Sequence, residues 1–126
     1  MLTFAIPTWD RADKLKVCIE SICKQIIDNP GVKIVVCDNG SSDHTREILE
    51  DFDKKYEFVT FKTLPKMIDG ASCIESVNMV DTEWIWTFGD DDVLMPGALK
   101  KVLYLLKNYP ELDYLHATQK LRSGGT

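Results

Sequence analysis

Short apolar runs and longer segments with helical spacing alternate along the chain. The runs are rich in β-branched and aromatic residues, and most of them are followed by Pro, Gly or Asp, which is typical of strands. They predict strands at residues 2–6, 32–37, 58–64, 83–88 and 112–117. The first is expected to stop at Pro7. The third alternates apolar and polar positions, so it is expected near a sheet edge.

Between these runs, apolar residues recur at i, i+3 and i+4, the spacing of one buried helix face. The longest stripe predicts a helix capped by Asp10 or Asp13, with a face made of Leu15, Cys18, Ile19, Ile22, Cys23 and Ile26. A second helix, capped by Ser42 or Asp43, buries Ile48, Leu49 and Phe52. A weaker helix is predicted at residues 70–80. The last opens at Pro96 and Gly97, with an inner face of Leu99, Val102, Leu103 and Leu106.

This alternation predicts an α/β fold in one domain, residues 1–126, with a mostly parallel sheet and helices on both of its faces. Right-handed crossovers bring the loops after the strands to one edge of the sheet. Three of those loops are polar: the first loop (residues 7–11), the second loop (residues 38–42) and the acidic triplet Asp90, Asp91 and Asp92. We expect all three to converge on one site.

Each loop carries side chains suited to a nucleotide, although each also has a simpler explanation. Trp9 offers an aromatic face for a base and Arg11 a cation for a diphosphate, unless Trp9 packs under the loop and Arg11 pairs with Asp10 or Asp13. Asp38 can accept a hydrogen bond from a base N–H or a ribose hydroxyl, even where Ser42 or Asp43 caps the helix.

The acidic triplet is the strongest chemical signal in the chain. Carboxylates this close repel one another unless a cation is present, and carboxylate oxygens are ligands that Mg²⁺ and Mn²⁺ prefer. Acidic runs are more often solvated turns. The position of this one, directly after a buried strand, favours a ligand site.

Composition narrows the possible partners. The chain has 126 residues, 44% of them hydrophobic and 28% charged, with a net charge of −5, which argues against a nucleic-acid surface. Its four cysteines form no C-x-x-C pair, so a zinc site is not expected. We expect instead that the cysteines are reduced and lie in the core. With no signal peptide and no apolar run near the roughly 20 residues of a membrane span, we expect a cytoplasmic protein. Peripheral membrane association would follow only from a lipid-linked acceptor.

Three segments, in order and with the usual spacing, carry a resemblance to a known family. They are Ile-Pro-Thr-Trp-Asp-Arg at residues 6–11, Ile-Val-Val-Cys-Asp-Asn-Gly-Ser-Ser-Asp-His-Thr at residues 34–45, and Trp-Ile-Trp-Thr-Phe-Gly-Asp-Asp-Asp at residues 84–92 followed by Pro96-Gly97. Together the chain resembles the family 2 glycosyltransferases, whose Rossmann-like GT-A domain binds a nucleotide-sugar.

The resemblance implies a role for each site residue. The first loop (Pro7, Thr8, Trp9, Arg11) and Asp38 hold the uracil and ribose, and Asp69 and Gly70 approach the nucleotide. The triplet corresponds to the D-x-D motif, with Asp90 and Asp91 at the nucleotide and a divalent metal, Mn²⁺ or Mg²⁺, held by Asp91, Asp92 and Asp90.

The register of this motif and one neighbouring segment depart from the family pattern. Read literally, D-x-D is Asp90 and Asp92, but alignment on Pro96-Gly97 places the metal-contacting aspartate at Asp91. Cys73 and Ile74 stand where the family often has an Arg-Asn pair, so contacts with the donor sugar do not carry over.

The implied function is transfer of a sugar, from a donor that is UDP-linked, to a hydroxyl of a saccharide or lipid-linked acceptor, with metal assistance and inversion. The general base and acceptor site are expected beyond Thr126, so the chain is interpreted as the N-terminal donor-binding portion. His116 is the one late residue that could face the site, although a place in a strand suits it better. Two alternatives stay open: a non-catalytic nucleotide- and metal-binding domain, and a receiver-like signalling domain, which would need paired acids after its first strand.

Overall fold

A computed structural model describes residues 1–117 and confirms the predicted alternation of strands and helices. Its elements in chain order are β1 (Leu2–Thr8), α1 (Ala12–Ile27), β2 (Lys33–Asp38), α2 (Thr45–Lys55), β3 (Val59–Thr63), α3 (Ala71–Asn78), β4 (Trp84–Thr87) and α4 (Ala98–Asn108).

Within the described residues, the four strands form one parallel sheet of order β3-β2-β1-β4, with β3 at an edge as predicted. The chain moves from β1 through β2 to β3 and then crosses back to pair β4 with the other side of β1. Strand order therefore reverses between β1 and β4, and open α/β sheets bind ligands outside the carboxyl ends of strands at such a point. A receiver domain instead places β3 next to β1, so this topology rules out that alternative.

Helices cover both faces of the sheet, as predicted. Helices α1, α2 and α4 share one face, where their apolar stripes pack against alternate β1 residues such as Phe4 and Ile6. The Phe4 ring stacks on Trp86 of β4, with ring centroids 4.7 Å apart. Helix α3 covers the opposite face over β1 and β2. The sheet is thus fixed on both sides, which gives the loops at its carboxyl edge a rigid base.

Strand β1 continues through Pro7 to Thr8, so the prediction that Pro7 ends it was wrong. Pro7 has no N–H, which usually bars proline from a central strand. In β1, however, odd-numbered residues bond toward β4 and even-numbered ones toward β2, as the bonds from Phe88 N to Ala5 O and from Asn39 N to Thr8 O show. The β1–β4 pairing ends at Ala5. Pro7 is oriented toward β4, but β4 is no longer paired with β1 at that position. The missing N–H of Pro7 therefore costs no hydrogen bond of the sheet.

Two predictions near the end of the chain were also wrong. Residues 112–117 form no strand, because they pair with no other described segment. His116 therefore lies in no strand, and its ring stacks on Tyr114, which is 75% exposed. Helix α4 begins after Gly97, which has a φ of +79°. Pro96 therefore lies before the helix, and the prediction that it opens the helix was wrong. The predicted frayed end lies outside the described residues.

Three of the four cysteines lie in the core, as predicted, and the fourth does not. Cys18, Cys23 and Cys37 are buried and free, and Cys73 is free on the surface. Burial raises the pKa of Cys23 to about 12 and that of Cys37 to about 11, so both thiols are protonated at neutral pH. None of the helices in the part of the chain that the structure describes is both long and apolar enough to span a membrane.

Candidate functional site

The first loop and the acidic triplet meet at the point where strand order reverses. The Thr8 hydroxyl at the end of β1 donates to Asp90 Oδ2 at 2.9 Å, across 82 positions of sequence. The Arg11 guanidinium lies 3.5 Å from Asp90 Oδ1 and 3.2 Å from Asp91 Oδ2. Arg11 thus supplies part of the positive charge that the triplet requires. The simpler interpretation, in which Arg11 pairs with Asp10 or Asp13, was wrong.

The three aspartates differ in environment. Asp90 is buried, Asp91 is exposed, and Asp92 is intermediate in exposure. Burial raises the pKa of Asp90 above its ordinary value, although the Thr8 hydrogen bond and the Arg11 charge act against that effect. Asp90 is therefore a fixed part of the loop, and Asp91 is the carboxylate most open to a ligand.

Gly89 provides the space into which the other two carboxylates turn. A side-chain carbon at Gly89 would lie 2.7 Å from Asp92 Oδ2 and 3.3 Å from Asp91 Oδ1. Within residues 1–117 no three Asp, Glu, His or Cys side chains are grouped so as to hold a metal ion together. A metal held by all three aspartates therefore stays a prediction.

Helix α1 holds the loop that carries the triplet (residues 88–97, the acidic loop) in place through polar side chains on its buried side. The Cys18 thiol donates to Gly89 O, and Ser21 Oγ accepts from Leu94 N at 2.9 Å. Gln25 donates to Met95 O at 2.7 Å and accepts from Leu99 N at 2.9 Å, which satisfies a free N–H at the start of α4. The sequence pattern predicts only the apolar stripe of this helix, so these positioning contacts were missed.

The first and second loops are joined through Asp10, the one non-glycine residue with positive φ (+48°) among the described residues. Its N–H donates to Ser41 Oγ at 2.9 Å, and its Oδ1 accepts from Ser42 N at 2.7 Å. The prediction that Asp10 caps α1 was therefore wrong, because its carboxylate bonds to the neighbouring loop.

Asp43 accepts hydrogen bonds from backbone N–H groups at the starts of both α1 and α2. One of its oxygens accepts from Thr45 N at the start of α2, and the other accepts from Ala12 N at the start of α1. Burial alone would raise the pKa of Asp43, but the hydrogen bonds from Thr45 and Ala12 outweigh burial and hold that pKa below its ordinary value. Ionised Asp43 thus ties the two loops together.

Asp38 is completely buried at the end of β2, yet only one of its oxygens has a partner. Ser41 donates to Oδ1 from its backbone N–H at 3.1 Å and from its hydroxyl. Oδ2 accepts no hydrogen bond from any residue that the structure describes. A buried acceptor in this state is costly, which points to a donor that residues 1–117 do not provide.

A pocket of about 420 Å³ opens beside Asp38, between the start of α2 and the end of β3. Thr63 and Arg46 line it, and the Thr63 hydroxyl is the other buried oxygen without a partner in the described structure. From the sequence alone, neither residue was assigned to the site. The placement of Thr63 at the end of a strand, in the position equivalent to Asp38, was the available signal.

The remaining candidates lie at the same edge, with fewer contacts. Trp9 is 46% exposed, so it is not packed under its loop. The segment that contains Asp69 and Gly70 is attached to the second loop through the Asn39 amide, which bonds Ile68 N and O at 3.1 and 2.8 Å. Gly70 adopts a φ of +75° and precedes α3, and Asp69 is exposed beside it.

A parallel sheet of order 3-2-1-4, with its polar loops at the switch point, defines a Rossmann-like nucleotide-binding α/β domain. The chain matches the family model "Glycosyl transferase family 2" over residues 3–120 and belongs to that family. The fold class and the resemblance inferred from sequence are thereby confirmed.

Two relatives of known name are longer proteins that match this chain over part of their length. It is 28% identical over 101 residues to the abequosyltransferase RfbV of Salmonella typhimurium, a match that covers 79% of this chain and 30% of that protein. It is 26% identical over 104 residues to a GalNAc(5)-diNAcBac-PP-undecaprenol beta-1,3-glucosyltransferase of Campylobacter jejuni, covering 81% of this chain and 33% of that relative.

Two solved structures share the fold. S. aureus TarS 1–349 in complex with UDP-GlcNAc aligns with a TM-score of 0.77 at 19% identity, covering 86% of this chain and 32% of that one. The mannosyltransferase PcManGT of Pyrobaculum calidifontis in complex with GDP-Man and Mn²⁺ aligns with a TM-score of 0.74 at 16% identity, covering 86% and 32%. The chain thus spans about a third of the length of these proteins.

Proposed function

We propose that the protein transfers a sugar from a nucleotide-sugar donor, a UDP-sugar, to a hydroxyl of a saccharide or lipid-linked acceptor, and that this chain forms its donor site. The observation that carries the proposal is the convergence of Asp38, with its unsatisfied buried oxygen, and the Thr8–Asp90–Arg11 cluster at one sheet edge. Family membership and the UDP-GlcNAc complex of TarS support it.

In this proposal each part of the edge binds a different part of the donor. Asp38 accepts an N–H of the base, and Trp9 offers its exposed ring as a stacking surface. Arg11 lies beside Asp90 and Asp91, where its charge can neutralise a phosphate oxygen. Asp69 and Gly70 border the nucleotide from the segment before α3.

The acidic loop fits a divalent metal that the protein and the substrate hold together. Mg²⁺ and Mn²⁺ are commonly bound by one or two carboxylates together with substrate phosphates, and Asp91 and Asp92 turn their oxygens toward the same glycine. Such an ion supplies charge neutralisation for the leaving diphosphate. Asp90, held by Thr8 and Arg11, positions the loop and borders the nucleotide.

Inversion, and deprotonation of the acceptor by a carboxylate general base, complete the proposed mechanism. Both rest on the family resemblance. A non-catalytic nucleotide-binding role would share the same donor contacts, so turnover by the whole protein is what separates the two.

Calorimetric titration of UDP, with and without Mn²⁺, tests the donor site. We expect UDP to bind in both conditions and more tightly with the metal, because the acidic loop and the diphosphate then share a cation. Absence of UDP binding in both conditions would contradict the proposed site. Equal affinity with and without Mn²⁺ would contradict metal assistance while leaving the donor site intact.

A further inference from the structure

We propose that Thr63 and Arg46 determine which nucleobase the protein accepts, and that the pocket they form with Asp38 selects uracil. This inference rests on the proposed nucleotide-sugar function and extends it from a class of donor to the residues that read the base.

The two unsatisfied buried oxygens lie opposite each other in the sheet. Asp38 and Thr63 are register partners in β2 and β3, so their side chains project to the same face from adjacent strands. No hydrogen bond joins them in the structure, and neither Asp38 Oδ2 nor Thr63 Oγ1 has another described partner. Both residues line the same 420 Å³ pocket. A ligand edge that reaches both atoms would satisfy them together.

The donors and acceptors in the pocket define the edge that fits it. The carboxylate of Asp38 is an acceptor, the guanidinium of Arg46 is purely a donor, and the Thr63 hydroxyl can do either. Arg46 makes no ion pair with any residue in the described range 1–117, so its donors are available. An N–H flanked by two carbonyl oxygens therefore matches the pocket: the N–H donates to Asp38, and Arg46 and Thr63 each donate to a carbonyl.

Uracil presents this acceptor–donor–acceptor pattern. Cytosine presents an unprotonated ring nitrogen at the central position, as does adenine, and a lone pair there faces the Asp38 carboxylate. Guanine has the central N–H and one carbonyl but carries an amino group in place of the second carbonyl. Thr63 is thus the residue that separates uracil from guanine, and Asp38 separates both from cytosine.

The rest of the pocket suits a planar ring. Phe61, Leu64 and Pro65 contribute apolar surface on the β3 side. A planar ring can pack against this surface while the polar atoms along one of its edges reach Asp38, Arg46 and Thr63.

The test measures the affinities of UDP, GDP and CDP, each with Mn²⁺, for the parent protein and for Thr63→Val and Arg46→Gln. Valine has the shape of threonine without the hydroxyl. The matched control is Thr60→Val, the same change at an exposed position of the same strand. Thermal melting checks the fold of each variant, and Arg46→Gln, on an exposed helix position, keeps the test valid if Thr63→Val is unstable.

We expect the parent protein to bind in the order UDP, GDP, CDP. Thr63→Val should reduce the UDP:GDP affinity ratio by about fivefold, the size of one neutral hydrogen bond, and Arg46→Gln should reduce UDP affinity by about tenfold. Thr60→Val should match the parent.

Three results would overturn the inference while leaving the proposed function intact: GDP or CDP binding more tightly than UDP, unchanged ratios in both variants, or an equal loss for every base. Failure of all three nucleotides to bind the parent protein would instead contradict the proposed function itself.

Discussion

Replacing Asp91 with Asn is expected to remove most of the metal-dependent part of UDP binding, lowering affinity in the presence of Mn²⁺ by about 100-fold. Asp91 is the exposed carboxylate of the triplet, and its two oxygens face Arg11 on one side and the space over Gly89 on the other. Because asparagine offers one neutral oxygen in place of a charged pair, it would be a weaker ligand for the proposed cation.

Calorimetry with and without Mn²⁺ measures this effect, and Asp53→Asn is the matched control. Asp53 is also exposed but lies near the end of α2, away from the carboxyl edge. The free energy of unfolding should be nearly unchanged in both variants, because surface substitutions rarely alter it by more than about 0.5 kcal/mol. Wild-type metal dependence in Asp91→Asn would show that the metal is held elsewhere.

Replacing Asp38 with Asn is expected to weaken UDP binding by roughly 10- to 100-fold, the range for a hydrogen bond to a charged group. The same substitution should not lower the free energy of unfolding of the ligand-free protein. Oδ2 of Asp38 is buried without a described partner, so removing its charge relieves a desolvation cost that the fold bears for its ligand. A substitution that weakens binding without lowering stability is typical of a functional position.

Thermal unfolding and UDP titration of the same sample check this second prediction. A decrease in stability of more than about 2 kcal/mol, a size characteristic of breaking a satisfied buried network, would show that Asp38 serves the fold. Unchanged UDP affinity would show that its free oxygen does not face the nucleotide.

The strands and helix faces were predictable because each depends on a local period. The stripe from Leu15 to Ile26 and the β-branched run at residues 32–37 both lie where the pattern placed them. Pro7 was misjudged because whether a strand needs its N–H depends on which neighbour lies beside it, and that is a property of the sheet. Residues 112–117 form an apolar-rich run like those of the other strands, but a pattern cannot supply a pairing partner.

The site was predictable in its location and much less so in its connections. Loops after parallel strands meet at one edge, so the convergence of the first loop, the second loop and the triplet followed from topology. The partners of individual side chains did not follow. Asp10 bonds to Ser42 across 32 positions, and Arg11 bonds to Asp90 across 79. The sequence suggested nearer partners for both, a helix cap for Asp10 and an ion pair with Asp10 or Asp13 for Arg11.

The place of Thr63 in the site could not be predicted from the sequence either. Its importance arises from its register with Asp38 across two strands, together with a missing hydrogen bond, and neither is visible in a linear sequence.

The central claim is that the carboxyl edge of this sheet binds the nucleotide, and mapping backbone amide chemical shifts during a titration with UDP and Mg²⁺ tests it most directly. We expect the largest changes at Thr8, at residues 38–41, at Thr63 and at Asp91. A second cleft, lined by Gln25, Asn29, Gly97 and Lys100, provides the internal comparison. Changes confined to that cleft, or no changes at saturating UDP, would contradict the claim.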